Sequence, residues 1–151
     1  MFDRLLEILS GREAPRVGEG GQELEIAVAA LLVEAAEMDQ SFGPDERAAI
    51  ERLLAERFGL ESSDVHDLIT KAQAAVSAST QYYPFTREIC ARLEPEERVG
   101  IVEMMWKVAY ADGRLDAHED MLLRQVAGLL HVPDRERGEA RKRALAALGL
   151  S

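Results

Sequence analysis

The chain has 151 residues, 47% of them apolar and 30% charged, a composition that supports a folded domain with a real core and excludes disorder over most of its length. Its formal charge of −10 excludes general affinity for nucleic acid, because phosphate binding needs clustered Lys and Arg. Cys90 is the single cysteine, so an internal disulfide is excluded, and with no signal-like start and no apolar run of membrane-span length the expected location is the cytoplasm.

Along the chain, Phe2, Leu5, Leu6 and Leu9 recur at helical spacing and predict an amphipathic helix over residues 1–10. Residues 11–21, rich in Gly and charge with one Pro, read as a flexible linker. The stripe on the first helix must be covered, and packing on its own bundle is the expected outcome, ahead of a partner subunit or a membrane surface.

The folded body spans 22–151. Leu24 to Ala36 is apolar on nearly every side except Glu25 and Glu34, and Val99 to Ala111 repeats that character around Glu103 and Lys107. Helices without a polar face belong in the middle of a core. Amphipathic helices follow each, at 45–58 and 117–130, with further helices at 63–78 and 135–148. Gln81 to Phe85 reads as a break, 86–93 as a short connecting helix, and Pro95 with Glu96 and Glu97 as the start of the next helix. With no β-alternation anywhere, the fold class is all-α: a compact bundle of seven or eight helices.

An internal repeat underlies this order. An offset of 73 residues superposes AAEMDQSFGPDERAAI (35–50) on VAYADGRLDAHEDMLL (108–123), and a one-residue slip then aligns Phe58-Gly59-Leu60 with Leu130-His131-Val132. The units run about 24–78 and 98–148. Two copies are too few for a solenoid and predict a pseudo-twofold bundle with its two apolar helices central.

Each unit carries Asp and, seven residues later, Glu: Asp39 with Glu46, Asp112 with Glu119. Helix capping explains part of this. Gly43 and Asp116 suit N-cap positions, Pro44 suits the first helical position of the first copy, and Glu46 and Glu119 sit three residues after the caps, where a capping box places its acid. Asp39 and Asp112 fall at helix C-termini, where the dipole disfavours an anion by roughly 0.3–1 kcal/mol. Either an Asx turn, with the carboxylate accepting N–H groups of the loop, or a hard cation shared with the following Glu offsets that. A full EF-hand loop is absent.

These two acidic patterns, EMDQSFGPDE and YADGRLDAHE, each between a very apolar helix and an amphipathic one, resemble the tellurite-resistance protein B (TerB-like) family over about residues 22–150. The resemblance implies an all-helical fold, acidic inter-helix turns proposed as a metal site, no established catalytic activity, and a place in stress-response or membrane-associated protein complexes. By match, Asp39, Glu46, Asp112 and Glu119 are its site candidates, and Asp116 adds a further carboxylate to the second turn. The first copy departs from the usual Asp-Gly, having Asp39-Gln40. Ca, Mg and Mn are the divalent cations to test.

The other conspicuous residues have bland readings. Trp106 with Met104 and Met105 reads as core, Cys90 as a small buried hydrophobe, and His118 as exposed or a further ligand in the second turn. His66 and His131 show no partner in sequence. Glu34 and Lys107 occupy equivalent positions and either meet or snorkel separately to the surface. The basic residues Arg135, Arg137, Arg141, Lys142 and Arg143 read as the solvated face of the final helix. No Walker loop, GxSxG, GxGxxG, HExxH or di-iron E-x-x-H occurs. A non-enzymatic binding or scaffold module with protein partners is therefore the expected function. The alternatives are a membrane-peripheral adaptor working through Phe2, Leu5, Leu6 and Leu9, and a metal-dependent hydrolase.

Overall fold

The stretch without a polar face at 24–36 lies inside helix α1 (Val17–Glu37), and Val28 to Val33 have no exposed surface at all. In this computed structural model the described residues are 17–37, 43–78, 83–111 and 117–150. The amphipathic segment 1–10 and its expected docking lie outside them, as do both Asp–Gln and Asp–Gly turns.

Six further helices follow: α2 (Pro44–Phe58), α3 (Ser62–Ala78), α4 (Tyr83–Arg92), α5 (Pro95–Ala109), α6 (Ala117–Leu129) and α7 (Asp134–Ala147). The described residues contain no strand. They make a compact all-α bundle in which α1 touches every helix from α2 to α6. Helix α5 is the second hub, packed on α1, α2, α6 and α7, with Ile101, Val102, Met105 and Val108 fully enclosed. These are the two helices that the apolar patterning places at the centre. At about 25 cal/mol per Å² of apolar surface removed from water, these two helices supply much of the drive to fold.

Two boundaries differ from the sequence reading. Helix α1 starts at Val17, within the stretch 11–21 expected as linker. Gly in a helix costs roughly 1 kcal/mol relative to Ala. Once the packed segment from residue 22 has nucleated the helix, each added residue gains a hydrogen bond, and that offsets the cost. Helix α4 starts at Tyr83, so Tyr83, Pro84 and Phe85 are helical rather than a break. Pro84 falls in the first turn, where its missing N–H has no partner to lose, and Phe85 is buried against the core.

Helix ends show how local chemistry sets the frame. Glu97 Oε1 accepts the Glu94 N–H at 2.9 Å and so caps the start of α5. Helix α2 ends at Gly59, φ 65°, whose N–H reaches the Ala55 carbonyl at 2.8 Å; the Leu60 N–H reaches the same oxygen at 3.2 Å. Helix α6 ends the same way at His131, φ 61°, with the Val132 N–H on the Ala127 carbonyl at 2.9 Å. Both are left-handed terminations with the bond pattern of a Schellman cap. Arg98 joins the ends of α4 and α6. Its Nε donates to the Leu130 carbonyl and its Nη1 to the Leu93 carbonyl, both at 2.9 Å. The orphan carbonyls after α4 and α6 are thereby satisfied by one cation.

Candidate functional site

The inter-helix turns were singled out by carboxylates, and the structure places two of the five. Glu46 is the third residue of α2 and Glu119 the third of α6. Asp39, Asp112 and Asp116 lie outside the described residues, as does the His118 side chain. Glu46 and Glu119 are buried to 5% and 3% relative exposure, and with Thr86 they are the buried polar residues among those described. A carboxylate withdrawn this far from water must be compensated by hydrogen bonds, opposite charge or a proton.

For Glu46 part of that compensation is visible. Its Oε1 accepts the Gly43 N–H at 3.1 Å. This is the reciprocal arm of a capping box; Gly43 has no side chain to supply the other arm. Gly43 takes an extended conformation and Pro44 opens the helix, as the sequence places them. Glu119 is likewise partnered. The capping role of Glu46 is thus present in the geometry, and it engages one carboxylate oxygen.

Among the described residues no group of three or more His, Cys, Asp or Glu side chains is arranged to hold a metal ion. The donor type at the two turns fits a hard cation all the same, because every candidate there is a carboxylate and neither thiolate nor imidazole is required. Of the carboxylates proposed from sequence, Glu46 and Glu119 fall among the described residues, and Asp39, Asp112 and Asp116 do not.

Two concavities escaped the sequence reading. One, of about 170 Å³, lies between the start of α1 and α3 and is lined by Gln22, Glu25, Leu60, Asp64, Asp67, Leu68 and Lys71. Burial pushes the Glu25 carboxyl above the usual glutamate range, Asp64 pushes it further, and Lys71 opposes both. The other, of about 380 Å³, runs between α5 and α7 and is lined by Pro95, Glu96, Val99, Glu136, Glu139 and Arg143. Neither could be found from spacing, because their walls come from helices that only the tertiary fold brings together.

The remaining candidates take structural roles. The Cys90 thiol donates to the Leu129 carbonyl at 3.6 Å while half-buried against the core. His66 Nδ1 lies 3.1 Å from Arg47 Nη2. Lys107 pairs with Glu103, one turn earlier on the same helix, at 3.6 Å, and so does not meet Glu34. Met104, Met105 and Trp106 are core, as expected. Two basic residues of α7 are matched within the helix, Arg135 with Glu139 and Arg137 with Asp134, and Arg143 pairs with Glu103 of α5.

No helix among the described residues is long and apolar enough to cross a membrane. No curated protein and no solved structure matches the chain. The sequence profile described as tellurite resistance protein TerB matches residues 25–142, a span that takes in all seven helices wholly or in large part and both acidic turns. A match over that much of the chain establishes its kinship: this protein belongs to the TerB family.

Proposed function

We propose that the chain is a non-enzymatic binding module in which the two acidic turns hold a divalent cation and thereby set the surface offered to protein partners in a tellurite-resistance-like stress response. The observation that carries this reading is the burial of Glu46 and Glu119, at the third position of the helix after each turn. Exposed first-turn acids are ordinary dipole partners, whereas burying a carboxylate costs free energy that a cap alone offsets in part. A repeat that sets one buried acid after each acidic turn supports a paired role for them. The family membership supports the same reading, since the TerB resemblance carries no established catalysis and a cytoplasmic setting suits the single cysteine.

The test is calorimetric. Ca²⁺, Mg²⁺ or Mn²⁺ titrated into the full chain should raise Tm, because an ion that binds only the native state stabilises it by RT ln(1 + [L]/Kd). Asp112→Asn with Glu119→Gln should abolish most of the rise, and Asp39→Asn with Glu46→Gln a smaller part, since the second turn carries Gly113 and the extra carboxylate of Asp116. A Tm that stays flat across millimolar concentrations of all three ions sinks the cation reading and leaves the acids as helix caps.

A further inference from the structure

Among the described helices, α7 packs chiefly on a single neighbour, α5. It packs along α5, with a narrow edge on α6, and buries completely only the small side chains of Ala140 and Ala144. Leu145 and Leu148 are half-covered. The other attachments are guanidinium groups. Arg141 lies over the Trp106 ring at 5.6 Å and the Tyr110 ring at 5.8 Å, and its Nε donates to the Tyr110 hydroxyl at 2.9 Å. Trp106 and Tyr110 stack on each other at 5.9 Å, so one arginine covers a continuous aromatic surface. Arg143 Nε pairs with Glu103 at 2.8 Å, one turn before Lys107.

Closing α7 over this surface has a cost that is visible in the structure. Trp106 is 2% exposed, and its indole N–H has no acceptor among the described residues. A donor withdrawn from water without a partner opposes the closed state and favours any motion that lets water back. Arg141 itself remains exposed, and the Arg143 and Glu103 side chains both keep contact with solvent, so ions can weaken the attachment.

We infer that α7 is a releasable strap, latched to α5 by Arg141 on the Trp106–Tyr110 pair and by the Arg143–Glu103 ion pair, and that it opens as a unit while the rest of the bundle stays folded. The strap is joined to the second acidic turn through α5. Tyr110 follows the last residue of that helix and stands two residues before Asp112 in the sequence.

Native-state hydrogen exchange on the full chain tests this, with Trp106 as an internal reporter because it is the one tryptophan of the sequence. Amides in 138–147 should exchange at least about tenfold faster than those in 28–33 of α1, and the gap should widen as salt rises from about 0.05 M to about 1 M. Arg141→Ala should speed exchange in α7 by about threefold or more and raise acrylamide quenching of Trp106, without changing protection in α1. Arg141→Lys keeps the charge but loses the flat fork that stacks on the rings, and it carries the test if the alanine variant fails to fold. Protection in α7 equal to that in α1 at both salt concentrations would mean that α7 leaves only on global unfolding, which overturns the proposal. So would Arg141 variants that leave α7 exchange and Trp106 quenching unchanged.

Discussion

The helix ends at Gly59 and His131 hold one backbone shape with two different residues. In the first unit a glycine stands at the left-handed position; in the second a histidine takes the same φ with a Cβ against it. The acids at the next corresponding place agree more closely, since Glu46 and Glu119 are both buried third residues. Between the central helices the units diverge again. Lys107 finds Glu103 one turn away, whereas burial pushes the Glu34 carboxyl up, with Glu37 adding to the effect. In both segments the apolar positions are enclosed, whereas the polar positions take whatever compensation lies nearby.

Core truncation gives the largest expected effect. Ile50 and Leu123 are aligned by the repeat and both fully enclosed. Each, changed to Ala, should lose about 2–5 kcal/mol in denaturant melts, and a loss near zero at one of them would break the equivalence of the units. Next come the buried acids. Glu46→Ala removes the acceptor for the Gly43 N–H and should cost about 0.5–2 kcal/mol, whereas Glu46→Gln should cost less because its carbonyl accepts the same bond. If Glu46→Gln costs as much as Glu46→Ala, the charge of the carboxylate is what matters at that turn.

The two caps respond in opposite directions. Gly59→Ala should destabilise by about 1 kcal/mol, since no clash is involved and only the left-handed backbone opposes the side chain. His131→Gly should stabilise by about 0.5–1 kcal/mol by relieving the same strain. Equal signs for the pair would show that His131 makes a compensating contact.

The smallest effect is electrostatic. The folded pKa of Glu34 is raised, so its charged form opposes folding above that pKa, and the opposition fades as pH falls through the folded pKa toward the ordinary value of 4.5. Glu34→Gln should therefore raise Tm at pH 7 and flatten the Tm profile across that window. A variant with the same profile as the parent would show that Glu34 is already well solvated in its native setting.

Much of this fold was legible because helical periodicity is a local signal. The centrality of 24–36 and 99–111 and the Pro44 and Pro95 starts all rest on residues within a turn or two of one another. The third-residue acids were also legible, since a capping box is defined by spacing alone. What spacing missed are contacts between distant segments. The Arg98 clamp on Leu93 and Leu130, the Glu25–Asp64–Lys71 cluster and the Arg141–Trp106–Tyr110 stack each join helices far apart in the chain. The basic run at 135–143 looked like a solvated face, and most of it is one; Arg141 and Arg143 differ because α5 presents two rings beneath the first and Glu103 beside the second.

By itself, then, the sequence determined the class of fold, the order of its helices and which two lie at the centre, because burial of apolar surface is written residue by residue and read at a fixed period. It also marked Glu46 and Glu119 as special positions. Only the tertiary structure decided that both are buried, that Lys107 turns to Glu103 rather than Glu34, and that Arg141 and Arg143 of the last described helix reach across to α5. Those outcomes depend on which helices meet and at what height, and no local pattern carries the relative placement of two surfaces separated by tens of residues.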